Sequence, residues 1–189
     1  MFKNQTKLSA ALTMLAGLLS SQMALAETAT KVGARAGMVD VDNLGSTIGF
    51  GGYAEVALTK EIAVRPSLDY WQVTKGSNVG FAEVEVKVSD LAIGGAVKYT
   101  ADVAGWSAKP YALGGLAMHR LSVTATASSD FAPGAEYSAE AIDTKIGFDL
   151  GAGLSYPLPS GLELSGEVLM RNVDQADLVS LTAGVAYKL

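Results

Sequence analysis

The chain has a single histidine, His119, and no cysteine. A lone imidazole can act as a general base only with a reacting partner within hydrogen-bond reach. The nearest serine is Ser122. In an extended strand, side chains an odd number of positions apart point to opposite faces, so His119 and Ser122 do not meet there. His119 is read as a wall or rim residue, and no catalytic residue is assigned. With no second histidine and no cysteine, no metal-ligand set is visible, and no cofactor is implied. Gly49, Gly51 and Gly52 do not open a helix after a strand, so they form no phosphate loop.

The other residues able to do chemistry are charged and recur on one face of alternating segments. The basic members are Arg35, Arg65, Lys98, Arg120, Lys145, Arg171 and Lys188. The acidic members are Glu55, Asp69, Asp90, Asp143, Asp149, Glu163 and Glu167. They number seven against seven. Such a set can line an ion path, or it can lock into a salt-bridge and hydrogen-bond plug. A matched set suits a confined space, where an unpaired charge is costly.

The segments that carry these residues alternate with a period of two, the mark of a two-faced strand. Ile142 to Tyr156 is the clearest. Ile142, Ile146, Phe148, Leu150, Ala152, Leu154 and Tyr156 share one face with Thr144, and the opposite face is polar or glycine. The run is long for a globular strand and suits a tilted membrane crossing, which takes roughly 9–11 residues. Eight such segments follow one another: 31–41, 46–58, 62–73, 84–99, 109–124, 142–156, 162–171 and 179–189. Pro66 interrupts the third and predicts a bulge. In the fourth, Val84, Val86 and Val88 are even but Leu91, Ile93, Val97 and Tyr99 are odd. Either a bulge sits near Ser89-Asp90, or the first part rises above the membrane and follows different rules. In the fifth, Tyr111, Leu113, Ala117, Leu121 and Val123 are assigned to the apolar face, and Leu116 and Met118 fall opposite with Arg120. Residues 74–83 and 125–141 read as the two longest loops.

Positions 1–26 read as a cleaved Sec-type signal peptide. Lys3 and Lys7 precede an apolar run from Leu8 to Leu19, and Ala24-Leu25-Ala26 is a small-x-small cleavage pattern. Residues 27–189 form one domain. The whole chain has a net charge of −5; without Lys3 and Lys7 it has 12 Lys and Arg against 19 Asp and Glu, a net charge of −7. No basic surplus exists to neutralise phosphates, so nucleic acid is not an expected partner. No apolar helix of membrane-spanning length follows position 26, and although mean hydropathy is positive, the apolar residues alternate rather than run together.

Soluble and membrane barrels both alternate, and they differ in which face points inward. Three features favour an apolar face toward lipid. The charged face is matched while the chain is acidic. Glycines, among them Gly33, Gly37, Gly49, Gly51, Gly114 and Gly147, crowd that same face, as a narrow wall requires. Tyr99, Tyr156 and Tyr187 end strands at one rim and Trp106 and Tyr111 begin the return, which resembles a periplasmic aromatic girdle. The expectation is all-β: an eight-stranded antiparallel up-and-down transmembrane β-barrel.

The chain resembles the small eight-stranded outer-membrane barrels of the OmpA-domain, OmpX and opacity-protein type over about residues 27–189. The resemblance rests on the signal, the eight strands, Lys109-Pro110-Tyr111-Ala112-Leu113-Gly114-Gly115-Leu116 and the C-terminal Val185-Ala186-Tyr187-Lys188-Leu189. It implies residence in the cell outer membrane and contact with lipid and lipopolysaccharide. It also implies recognition of the last strand by the assembly machinery. That family ends in Phe or Trp, where this chain has Leu189. The expected role is non-enzymatic: envelope structure or surface interaction through the external loops. A small-solute or apolar-ligand channel, a lipid-modifying barrel enzyme acting through His119 and a soluble periplasmic barrel are the rivals.

Overall fold

A computed structural model describes residues 30–42, 44–79, 82–129, 136–173 and 176–189. The signal peptide expected at 1–26 lies outside the described residues. Eight strands follow in order: β1 (Thr30–Val41), β2 (Gly45–Ala57), β3 (Ile62–Val79), β4 (Ala82–Thr100), β5 (Lys109–Ser129), β6 (Glu136–Pro157), β7 (Leu162–Val173) and β8 (Ala176–Lys188). Each pairs antiparallel with its neighbours, and β8 returns to β1, so the barrel is closed in the order β1 to β8. Closure leaves the paired backbone with no open edge, the condition for a sheet in a bilayer.

The two rims differ. At one, strands are joined by short turns at 58–61 and 158–161 and by the segment 101–108. The turn after β2 is held by Thr59, whose hydroxyl accepts from the amides of Glu61 at 3.2 Å and Ile62 at 3.0 Å. At the other rim, β3 to β6 run past their neighbours. The loops expected at 74–83 and 125–141 are mostly strand, because β3 pairs with β4 out to Val79↔Ala82 and β5 with β6 out to Ser128↔Glu136. Residues 80–81 and 130–135 lie outside the described residues.

No bulge forms at either expected place. Pro66 sits opposite Gly95 in an unbroken β3–β4 register. On the β2 side the pairing stops after Tyr53↔Ser67 and resumes at Val56↔Val64 in the same register. The missing proline donor is met by a local gap in one ladder. In β4 the even positions point inward from end to end. Val88, Asp90, Ala92 and Lys98 are buried, while Ile93, Val97 and Tyr99 are exposed on the outer wall. The break in pattern is a change in what the lumen contains, since Val86 and Val88 belong to an apolar cluster inside the barrel whereas Asp90 and Lys98 are charged.

Strand β5 inverts the sequence reading. Tyr111, Leu113 and Ala117 are buried inside, each 4% exposed, whereas Leu116 and Met118 lie on the outer wall at 61% and 38% exposed. Arg120 shares their outer face and is exposed. Gly114 is also outward by the same alternation, and Gly115 faces in. The remaining outer wall is apolar, with Phe50, Leu68, Ile146, Phe148, Leu150, Leu154, Leu164, Met170 and Leu181 all about half exposed or more. This is the lipid-facing band of a membrane barrel.

Candidate functional site

The lumen is filled by side chains arranged in levels. Nearest the short-turn rim, the Lys31 ammonium donates to Glu163 at 2.6 Å and Lys98 donates to Glu55 at 2.8 Å. Above them Arg65 closes a fork on Glu55, with Nε at 2.9 Å and Nη2 at 2.7 Å, and its Nη1 donates to Glu167. Arg35 donates from Nη1 to the other oxygen of Glu167 at 2.5 Å, and from Nε and Nη2 to Asp69 at 2.9 and 2.7 Å. Arg171 adds a bond to Asp69 at 2.7 Å, and Tyr111 donates its hydroxyl to Glu167 at 2.9 Å. Charge-assisted forks of this kind fix guanidinium planes as well as neutralise carboxylates.

Tyrosine rings occupy the space between these charges. The Arg65 guanidinium lies 4.5 Å from the Tyr53 ring centre, and the Lys98 ammonium 4.2 Å from that of Tyr111. These are cation–π distances. Two glycines make room for the network. A Cβ on Gly51 would stand 2.0 Å from the Asp69 carboxylate and 2.8 Å from backbone oxygen, and one on Gly147 would stand 2.9 Å from His119 Nε2.

A second level sits above the charges. His119 Nδ1 and Asp90 Oδ2 are 2.7 Å apart, with the imidazole fully buried and the carboxylate 1% exposed. An ionised carboxylate can only accept, so beside one the imidazole would donate from Nδ1. His119 Nε2, Asp90 Oδ1, Trp71 Nε1, Asp149 Oδ1 and Arg171 Nε have no hydrogen-bond partner among the described residues. Arg171 Nε is 3.7 Å from Asp149 Oδ2, an ion-pair contact beyond hydrogen bonding. A cavity of about 20 Å³ beside Arg35, Asp69, Trp71, Arg171 and Ser180 has room for one water.

A third level closes the lumen toward the long hairpins. Val39, Val41, Trp71, Val88, Val173 and Leu178 form a buried apolar cluster, with Leu44, Val73, Val86 and Leu121 packed against it.

Of the charged residues expected inside, the structure brings together Arg35, Glu55, Arg65, Asp69, Lys98, Glu163, Glu167 and Arg171 in one network. Asp149 lies at its upper edge and Asp90 pairs with the histidine. Four expected members stand apart. Arg120 is on the outer wall. Asp143 and Lys145 form an exposed pair at 3.2 Å toward the hairpin rim. Lys188 is exposed at the short-turn mouth. In the expected girdle, Tyr99, Trp106, Tyr156 and Tyr187 are exposed at 54%, 61%, 46% and 50%, but Tyr111 is a lumen residue. Sequence reasoning omitted Lys31 and read His119 as a wall or rim residue without placing it among the lumen groups. Lys31 shares the parity of Arg35, which was signal enough. His119 was hidden by the adjacent Arg120.

His119 and Ser122 do lie on opposite faces: the imidazole is sealed inside, while the Ser122 hydroxyl donates to Glu140 at 3.0 Å. Among the described residues no cluster of His, Cys, Asp and Glu could hold a metal ion.

The sequence pattern of the outer membrane protein beta-barrel domain matches residues 10–188. The chain belongs to this family. Its place is thus the outer membrane, and the apolar wall faces lipid. No curated protein matches it. Among solved structures, Neisserial surface protein A superposes with a TM-score of 0.57 at 21% identity, covering 85% of this chain and 97% of that one. A major outer membrane protein from Thermus thermophilus gives 0.66 at 13% identity, with 87% and 100% covered. The N-terminal β-barrel domain of Pseudomonas aeruginosa OprF gives 0.50 at 17%, with 86% and 100% covered. At these identities the likeness is one of fold.

Proposed function

We propose that this barrel is a non-conducting outer-membrane anchor that displays the extended strands β3 to β6 outside the cell for surface interaction. The observation that carries the reading is the double closure of the lumen, by the Arg35–Asp69–Glu167–Arg65–Glu55 network and by the apolar cluster above it. An eight-stranded interior is just wide enough for side chains to fill. The short-turn rim then faces the periplasm and the long hairpins face outward, the asymmetry usual for such barrels.

The hairpins are built for display. Beyond Trp71, β3 has no β2 ladder partner, only the Thr47 hydroxyl donating to the Gln72 carbonyl, and before Gly147, β6 has no β7 ladder partner among the described residues. Four strands thus continue as an open sheet with two free backbone edges. Its inner face carries Val84, Val86, Leu121, Val123, Ala125, Ala127 and Ala141. Its outer face carries Thr74, Glu85, Lys87, Thr124, Thr126 and Glu140. A free edge can accept an extended polypeptide, and the charged outer face restrains indiscriminate pairing.

Planar-bilayer recordings of the refolded protein test the reading. Insertion without current steps is the expected result. Discrete, reproducible steps would overturn it in favour of a small-solute channel.

A further inference from the structure

We infer that the short-turn mouth of the barrel is a binding site for a small soluble polyanion of the diphosphate class. The mouth opens into a vestibule of about 540 Å³. Small-molecule pockets span roughly 300–1,000 Å³. Glu55 and Lys98 line it, and behind them Arg65, bonded to Glu55 and Glu167, fills the lumen, so it is a blind cup rather than the start of a path. Five lysines line it, Lys31, Lys60, Lys98, Lys109 and Lys188, against Glu55, Glu61 and Glu163. In a chain of net charge −5, this is a local surplus of cations.

The surplus is not consumed by the wall. Lys31 and Lys98 pair with Glu163 and Glu55, and Glu55 also accepts two bonds from Arg65 beneath. The ammonium groups of Lys60, Lys109 and Lys188 make no hydrogen bond or ion pair with any described residue. Ser155 gives a second, independent sign. It is a 2% exposed polar side chain that lines the cup. Lys98, also 2% exposed, spends one hydrogen bond on Glu55 and is held in place over the Tyr111 ring. An ammonium has three donors, so some remain for a ligand.

Low-dielectric walls around like charges focus the field and concentrate counter-ions of the opposite sign. Ammonium groups are point-charge phosphate binders that impose little geometry, which suits a compact anion touched from several sides. A phospholipid headgroup offers the same phosphate chemistry. It is tethered outside the barrel wall, however, and would have to bend over the rim to reach Ser155 and Lys98.

Inorganic pyrophosphate titrated into the full-length protein, refolded in a nonionic detergent at about 0.15 M salt, is the test. The expected result is saturable one-to-one binding with Kd at or below about 1 mM, with amide shifts centred on Thr100 and Ser155. Replacing Lys109→Met and Lys188→Met together should weaken binding by about tenfold or more. Lys87→Met, at the other end of the barrel, should leave it unchanged. Lys109→Arg with Lys188→Arg should retain binding and serves if the neutral variant does not refold. Absence of saturation, or equal weakening by Lys87→Met, overturns the proposal. Loss of pyrophosphate binding in nanodiscs containing phosphatidylglycerol, but not phosphatidylcholine, would also overturn it by assigning the cup to headgroups.

Discussion

Glu167 ties the two halves of the charge network together. One carboxylate accepts from Arg35, Arg65 and Tyr111, joining two guanidinium forks that otherwise end on Asp69 and Glu55. Removing it leaves each guanidinium with one carboxylate, on Asp69 or Glu55, and takes the acceptor from Nη1 of both. Truncating one partner of a buried ion pair costs about 3–5 kcal/mol. Glu167→Ala should therefore lower the stability of the refolded barrel by about that amount, read from urea unfolding. Glu167→Gln keeps the shape and one acceptor and should cost less. The His119–Asp90 pair makes the complementary case. His119→Phe alone leaves a buried carboxylate without its donor and should cost several kcal/mol by the same argument. Asp90→Leu added to it removes the stranded charge beside an apolar cluster. The double variant should recover most of the loss in the same unfolding experiment, a coupling that a purely steric effect of Phe would not produce.

At the scale of strands, alternation made β1, β2, β3, β6, β7 and β8 legible, because each puts most of its apolar residues on one face. β5 does not: Tyr111, Leu113 and Ala117 oppose Leu116 and Met118, so hydrophobicity could not choose a side. The structure decides by partners across strands. His119 needs Asp90, and Tyr111 needs Glu167, and both demands turn odd positions inward. In β4 the sequence misled through the opposite assumption, that a lumen is polar throughout. Val86 and Val88 face in because the upper lumen is an apolar cap. The loops at 74–83 and 125–141 read as loops because their outer faces become polar once the strands leave the lipid. The inversion of β5 has a direct consequence. Cysteine placed at Met118 should be protected from water-soluble reagents and accessible to a lipophilic spin-label quencher, while cysteine at Ala117 should be reached by neither. Leu116→Lys should cost about 2–4 kcal/mol if the residue faces mid-bilayer lipid. The exposed Arg120→Ala should stay within about 0.5 kcal/mol of the parent. A tolerant Leu116 with a costly Arg120 would restore the opposite facing.

For the whole molecule, the two closures stand in series. The charge level blocks the lumen through attraction between groups held on β1, β2, β3, β4 and β7, whereas the cap blocks it through apolar side chains from β1, β3, β4, β7 and β8. On the proposed reading, either alone excludes a hydrated ion. Arg65→Gln should loosen the lower level yet leave the protein silent in a planar bilayer, because Trp71 and Val88 still close the path above. Trp71→Ala with Val88→Ala should open the hairpin end into a wet vestibule and also remain silent, because Arg35 still bridges Asp69 and Glu167. Only the combination should conduct. The current should respond to charge, so converting Glu55→Gln in the combined variant should shift its selectivity away from cations. The outer wall is untouched by these changes, and membrane insertion and the folded band on unheated gels should persist in every variant. A single variant that conducts as well as the combination would show that one level alone holds the barrel shut. The open level would then be packing without a barrier, and the assignment of two closures would fail.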